Sequence, residues 1–421
     1  MQLIYQGSET GLQVLLVRGL GSERDSAERE VLEAGVALPL SHRAVWVTNL
    51  QHSESLFLLV RDASGRACGG VAIEKVATRA LPGHVILRVG KFGGSLPAAV
   101  CQAQISAIAI LARSIPRVLR VELNMFSRKG FEAFAETLKD LGFREARPPS
   151  SYRHTLVIDL RPSEEEIFAA FGKSARKRIR ETMKMSLKSI AIGDPVYAGR
   201  LLELQQEALR RTGGHIDPVS WKGILKLSAD HPGLSRVFGL FPSEDLAPEN
   251  MGAFAWVCNH GDHAEYCLAG SKSRGEVRIP FGYLLVWDMV RWAKAVGAEW
   301  FDMGGVTVAG GDETSLEGIS EFKRYFSHAI EEVGAEWQLE PVPVRARIAA
   351  MVSNSARGMQ RLILQRPLGW AVSSGPHRIA FDTSARSCIL TREIKFGSPR
   401  EFRGQPCLLL PLLISDRTRA G

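Results

Sequence analysis

Apolar positions recur along this chain with two periods, and each change of period marks a change of element. Short apolar runs bounded by turn residues predict strands over Leu12–Val17, Leu56–Val60, Gly69–Val76 and Val85–Val89. Asp62-Ala-Ser-Gly65 reads as a hairpin turn between two of them. A spacing near 3.6 predicts helices over Ser22–Ala34, from Pro97 to about Arg113, and over Lys129–Leu141. In the last of these Phe131, Phe134, Ala135 and Leu138 share a face, and Gly142 ends the helix. Gly90-Lys-Phe-Gly-Gly94 reads as a glycine-rich connection, and Val118–Leu123 and Thr155–Leu160 as strands.

In the second half, Ser163 and Glu166 match a capping box that opens one helix from about Glu164 to about Leu187. Its apolar face carries Phe168, Phe171, Ala175, Ile179 and Met183. Helices follow over Tyr197–Arg211 (ending at Gly213-Gly214) and Pro218–Ser228, then strands over Arg236–Phe241, Met251–Asn259 and Ala264–Leu268. Next come a helix over Pro280–Val296, a strand over Glu299–Met303, the turn Gly304-Gly305, a helix over Glu317–Ser327 and one strand over Ile330–Leu339. The order helix, strand, helix, strand at 97–147 thus recurs at 280–339, offset by about 180 residues, which reads as two copies of one mixed α/β unit. The expected organisation is a first unit at 1–150, a second at 151–340 and a tail at 341–421. The tail opens with a basic amphipathic helix over Val344–Gln365.

At 421 residues, two domains and an appendage are expected. With 45% hydrophobic and 23% charged residues the composition is that of a globular chain. Six cysteines without a C-x-x-C pair read as reduced and structural. The apolar runs are too short for a signal-peptide core or a membrane span, so a cytoplasmic protein is expected. The net charge of +8 is concentrated: between Lys173 and Lys188 seven basic residues face one acidic residue, Glu181. Lys173, Arg176, Lys177, Arg178 and Arg180 are therefore candidates for binding phosphates, whether in a nucleic acid, a nucleotide or an anionic lipid headgroup. The alternative is a solvated face.

Several chemistries are excluded by spacing. Gly172-Lys-Ser174 lacks the glycine a phosphate loop needs five positions upstream, where Ile167 stands, and no G-x-G-x-x-G or G-x-S-x-G occurs. His260-x-x-His263 has no second pair, so no metal is expected. Two charged residues remain. Asp302 ends a strand at a Gly-Gly turn, a position that suits either a functional carboxylate at a sheet edge or a turn cap. Lys323 lies beside the apolar stripe of Ile319, Phe322 and Phe326. Position alone favours snorkelling to solvent; in a cleft the same ammonium would stabilise an oxyanion. Tyr266 is either a core tyrosine or a cleft hydroxyl.

Arg176-Lys-Arg-Ile-Arg180, Tyr266-Cys-Leu-Ala-Gly270, Tyr283-Leu-Leu-Val-Trp287, Ala295-Val-Gly297, Phe301-Asp-Met-Gly-Gly305 and Gly318…Phe322-Lys323…Phe326 stand in an order that resembles FemABX-like proteins. The resemblance spans about residues 100–335 and is densest over 264–326. It implies two tandem GNAT-like acyltransferase domains with mixed sheets and a cleft in or near the second. Characterised members transfer an amino acid from aminoacyl-tRNA to an amine of a peptidoglycan precursor. A related branch includes acyl-CoA-dependent transferases of polysaccharide or lipid pathways. The resemblance implies that Lys323 stabilises the tetrahedral intermediate, that Asp302 is a candidate general base, and that Tyr266, Tyr283, Gly304, Gly305 and Phe322 line the substrate site. Expected partners are an acyl donor (charged tRNA or acyl-CoA) and an amine-bearing envelope precursor, with contact to the inner membrane face through basic surfaces. No tightly bound cofactor is expected. The long coiled-coil arm of some members has no room between Leu187 and Tyr197. Arg366-Pro-Leu-Gly-Trp-Ala371 matches a CoA-loop pattern but follows no strand. The reading from another class is a non-catalytic module that binds RNA or anionic lipid.

Overall fold

The computed structural model describes residues 1–50, 54–78, 80–146, 152–212, 219–242, 244–272, 281–307 and 317–364. Gly213-Gly214, the loop before Glu317, the CoA-like match at 366–371, Cys388, Cys407 and the apolar run 408–414 lie outside these residues.

Fifteen strands in the described residues build two sheets. The first half supplies β1 (Gln2–Gln6), β2 (Gln13–Arg18), β3 (Glu54–Arg61), β4 (Ala67–Ala77), β5 (Val85–Gly93), β6 (Val118–Phe126) and β7 (Arg144–Glu145). The rest are β8 (His154–Asp159), β9 (Lys188–Ile192), β10 (Ser235–Phe241), β11 (Ala253–Asn259), β12 (His263–Ser271), β13 (Trp300–Gly305), β14 (Ile330–Glu332) and β15 (Gly334–Leu339). The helices are α1 (Ser22–Glu33), α2 (Ala44–Leu50), α3 (Ala98–Ser114), α4 (Glu132–Asp140), α5 (Glu164–Ala170) and α6 (Lys173–Met183). They continue with α7 (Ala198–Thr212), α8 (Trp221–Asp230), α9 (Phe281–Ala295), α10 (Glu317–Arg324) and α11 (Pro343–Leu364).

The first sheet runs β1-β2-β3-β4-β5-β6-β15-β7 and the second β14-β8-β13-β12-β11-β10-β9. Both are antiparallel except for one parallel pair each, β5 with β6 and β12 with β13. Aligned on their parallel pairs, the seven strands of the second sheet match those of the first from β2 onward, β1 being extra, with α3 and α9 as the long helices that cross between the parallel strands. The duplicated α/β unit expected from the order of elements is therefore present. The first sheet, however, is completed by a strand from the second half of the chain. The second sheet is built from β8 to β14 alone, whereas β15 follows β14 in the chain but sits between β6 and β7 of the first sheet.

The placement of β15 corrects the expected strand over Ile330–Leu339. It is two strands in two sheets, divided at Val333, whose backbone is held by Arg153 O (2.9 Å) and Ser127 N (2.8 Å). Gly334–Leu339, placed by sequence in the unit 151–340, belongs to the first sheet. Separate cores lie on the helix-covered faces, one around Val89, Ile105, Val121 and Leu138 and another around Ile158, Phe171, Val286 and Phe301. Phe126, Tyr152, Val157, Trp300 and Val333 pack where the two sheets meet.

The single helix expected over Glu164–Leu187 is also corrected. The capping box forms, but α5 stops at Ala170 and α6 begins at Lys173. The break is a docking point: Gly172 N donates to Tyr325 O at 2.8 Å, and a Cβ at Gly172 would lie 3.0 Å from that oxygen. The buried stripe of α6 is Ala175, Ile179 and Thr182, and Met183 turns outward.

Candidate active site

The parallel ladder between β12 and β13 pairs only His263–Glu265 with Trp300–Asp302, then stops. Its counterpart in the first sheet continues from Val85/Val118 to Gly93/Phe126. The second sheet therefore opens into a wedge beyond Asp302, between Tyr266 on one strand and Gly304-Gly305 on the other. A bulge at Cys267 helps turn β12 away: Val257 pairs with Tyr266 but Trp256 with Leu268.

Lys323 reaches this wedge from the last turn of α10. Only 8% exposed, its ammonium donates to Gly305 O at 2.7 Å. Gly304 has φ of 75°, and a Cβ there would stand 3.3 Å from Lys323 Nζ, so both backbone conformation and close approach require glycine. The lysine does not snorkel. Burial lowers its pKa to about 8 against the raising influence of Asp302 and Glu265, so near pH 7 it is a largely protonated cation in a site poor in water.

Of the residues the resemblance assigned to substrate, Gly304 and Gly305 adjoin the ammonium, and the Tyr266 carbonyl faces Gly304 across the wedge. Burial pushes the Tyr266 phenol up, which keeps it protonated. Phe322 sits one position before Lys323, and Tyr283 meets its ring edge-on at 5.1 Å. Phe326 extends that aromatic wall to Phe171 at 5.2 Å. Through Phe171 and Gly172 the wall connects to the basic helix α6. Lys173, Lys177, Arg178 and Arg180 are exposed there, and Arg176 is half-buried. Lys177 and Arg178 approach Glu181 at 3.8 and 3.6 Å, while Arg180 lies over the Phe168 ring at 5.2 Å.

Asp302 is placed differently from its expected role. It points to the opposite face of β13, is fully buried, and accepts hydrogen bonds from all sides. Tyr152 OH donates to Oδ2 at 2.5 Å; Gly304 N at 2.7 Å and the Thr155 hydroxyl donate to Oδ1. Lys91 Nζ lies 3.7 Å from Oδ2. A carboxylate so saturated is not poised to take a proton from an incoming amine; it fixes the Gly304 turn on which Lys323 rests.

The partners of Asp302 form a charged cluster between the domains that sequence reasoning missed. Lys91 forms an ion pair with Glu265 at 2.9 Å and lies 3.6 Å above the Phe126 ring. Burial disfavours the charged forms of both, but their attraction prevails: Lys91 is held above and Glu265 well below the ordinary range. His260 Nδ1 accepts from Leu40 N at 3.3 Å, which leaves Nε2–H to donate to Glu265 at 3.0 Å. Burial lowers the pKa of His260, like that of His42, to about 4, so both are neutral. Beside the cluster lies a cavity of about 20 Å³, lined by His42, Lys91, Gln104 and His263, with room for one or two waters. Glu265, an acid inside an apolar strand, was the legible signal. Lys91 was hidden because its glycine-rich surroundings read as a loop, whereas β5 continues through a bulge between Val89 and Phe92.

The fold is shared with FemX, whose crystal structure superposes with a TM-score of 0.63 at 13% identity, covering 79% of this chain and 100% of that one. L-PGS from Bacillus licheniformis aligns at a TM-score of 0.47 and 14% identity, over 80% of this chain and 98% of that one. No protein-family model and no curated protein matches the sequence. The arrangement of two mixed sheets, each with one parallel pair, is thus the fold of FemX. Among the described residues no helix is long and apolar enough to cross a membrane, and no cluster of His, Cys, Asp and Glu has the form of a metal site.

Proposed function

We propose that this protein is an N-acyltransferase that moves an acyl or aminoacyl group from an activated carrier to the amine of a cell-envelope precursor. The observation that carries the reading is the buried Lys323 ammonium, held by Gly305 O at the wedge between β12 and β13. The amine attacks the carbonyl carbon of the donor ester. The carbonyl electron pair moves to oxygen, Lys323 stabilises that oxyanion, and collapse expels the carrier oxygen while the amine loses its proton. No enzyme nucleophile is needed. With Asp302 saturated, the acceptor amine enters already neutral or passes its proton to a group of the substrate. The exposed cations of α6, anchored beside Lys323 through Gly172 and Tyr325, favour a polyanionic donor such as aminoacyl-tRNA. The envelope acceptor rests on the resemblance of the motifs between 176 and 326.

Thermal shift of the purified protein against charged tRNA, acyl-CoA and uridine-diphosphate-linked peptides identifies donor and acceptor. With that pair, Lys323→Met should lower turnover on the order of 10²–10³-fold. Undiminished turnover in a folded variant overturns the assignment. Stabilisation by acyl-CoA alone replaces the aminoacyl-tRNA donor with a thioester.

A further inference from the structure

Immediately after β15 the chain enters α11, which packs against β6. It does so through small side chains, with Ala349 buried and Ala346 and Ser353 half-buried. Its larger apolar residues face the other way: Val344 is 63% exposed, Ile348 43%, Met351 61% and Val352 44%. At 3.6 residues per turn these four share an arc of about 100°, opposite the Ala346–Ala349–Ser353 face. The exposed Arg345 and Arg347 fall on its two borders. From Pro343 to Leu364 the sequence contains no Asp or Glu, and the apolar spacing recurs at Met359 and Leu362. A helix that keeps its smallest residues for the protein and offers a Val/Ile/Met stripe between arginines to solvent is built for a second, partly apolar medium.

We propose that α11 is a surface anchor that lies in the headgroup region of an anionic lipid bilayer. Its aliphatic stripe sits at the acyl boundary and its arginines sit among the phosphates. The chemistry distinguishes this occupant from the others. RNA would engage the arginines but leave four aliphatic side chains in water. A second copy would bring arginine borders together with no acidic residue on either helix to meet them. The anchor does not depend on the acyl-transfer reading, because it concerns a different element and a different ligand.

The test is co-sedimentation of the full chain with vesicles of phosphatidylcholine alone and of phosphatidylcholine mixed with phosphatidylglycerol. Binding is expected to the mixed vesicles and to weaken with salt. The fully exposed-face variant Val344→Gln/Ile348→Gln/Met351→Gln/Val352→Gln should lose binding by more than about ten-fold while keeping its circular dichroism and melting temperature. Arg345→Gln/Arg347→Gln should lose about five-fold per arginine at low salt and little at high salt. Equal binding by wild type and the four-glutamine variant overturns the proposal, as does absence of wild-type binding. A wild-type dimer in sedimentation equilibrium that becomes monomeric in the four-glutamine variant also overturns it, and assigns the stripe to self-association.

Discussion

Replacing Lys323 with methionine should stabilise this protein near neutral pH, and by an amount that depends on pH in a defined way. The side chain is 8% exposed and its pKa falls from 10.5 to about 8, chiefly through burial. A shift of about 2.5 units corresponds to about 3.4 kcal/mol by which folding disfavours the ammonium. Because the folded-state pKa is depressed, that penalty is fully felt below about pH 8 and disappears as pH rises toward the unfolded value of 10.5. Methionine has similar volume and no charge, but it leaves Gly305 O without its donor, at a cost of about 1–3 kcal/mol. The net gain near pH 7 is therefore about 1–2 kcal/mol, and it should shrink by about 2 kcal/mol by about pH 9.5. Urea unfolding of both proteins at several pH values measures the difference directly. A constant difference across that range would refute the buried-cation reasoning. The same cation should impose a descending limb on the reaction itself, since kcat/KM falls through about pH 8 if the ammonium is the working form. A rising limb there would instead make Lys323 a base.

Lys91→Met should cost about 3–5 kcal/mol, because Glu265 and Asp302 remain buried without their cation. Adding Glu265→Gln should recover part of the loss in urea denaturation; strict additivity would deny the coupling. Acid should destabilise the fold between about pH 6.5 and 4. The depressed folded-state values of His42 and His260 give stability that is present above 6.5 and lost toward 4, about 3 kcal/mol for each. His260→Gln should flatten that slope, and an unchanged slope would show that the histidines do not govern it. Lys177→Gln/Arg180→Gln should weaken a polyanionic donor uniformly and reduce the slope of log affinity against log salt by about 1 per lost phosphate contact. An unaltered slope would make these side chains merely solvated.

The elements legible in the sequence were those whose signal is local. Phe131, Phe134 and Leu138 declared α4, and the capping box at Ser163 declared α5, because periodicity and caps act within a few residues. What escaped was decided at a distance. Val333 looks like the middle of one strand, and only its bonds to Arg153 and Ser127 divide it between two sheets. Gly172 looks tolerable inside a helix until Tyr325 O arrives to cap its amide. Lys323 and Gly304-Gly305, singled out in the sequence, stand together in the fold, while Asp302, singled out with them, is taken up by Tyr152, Thr155 and Gly304 N. Lys91 was lost because a lysine between glycines carries no period; its meaning comes from Glu265, which lies far away in the sequence.

The late strand β15 sets a condition on how the chain is made. β6 is complete early in synthesis, yet its neighbour β15 emerges only about 200 residues later, so the first sheet waits with a naked edge while the second half leaves the ribosome. A fragment ending near residue 150 would carry that edge permanently and should aggregate or stay partly unfolded. Termination just after Glu332 would leave every strand of the second sheet in place and still deprive the first of β15. The first-made sheet is therefore the last to be closed, and its integrity depends on the far end of the second.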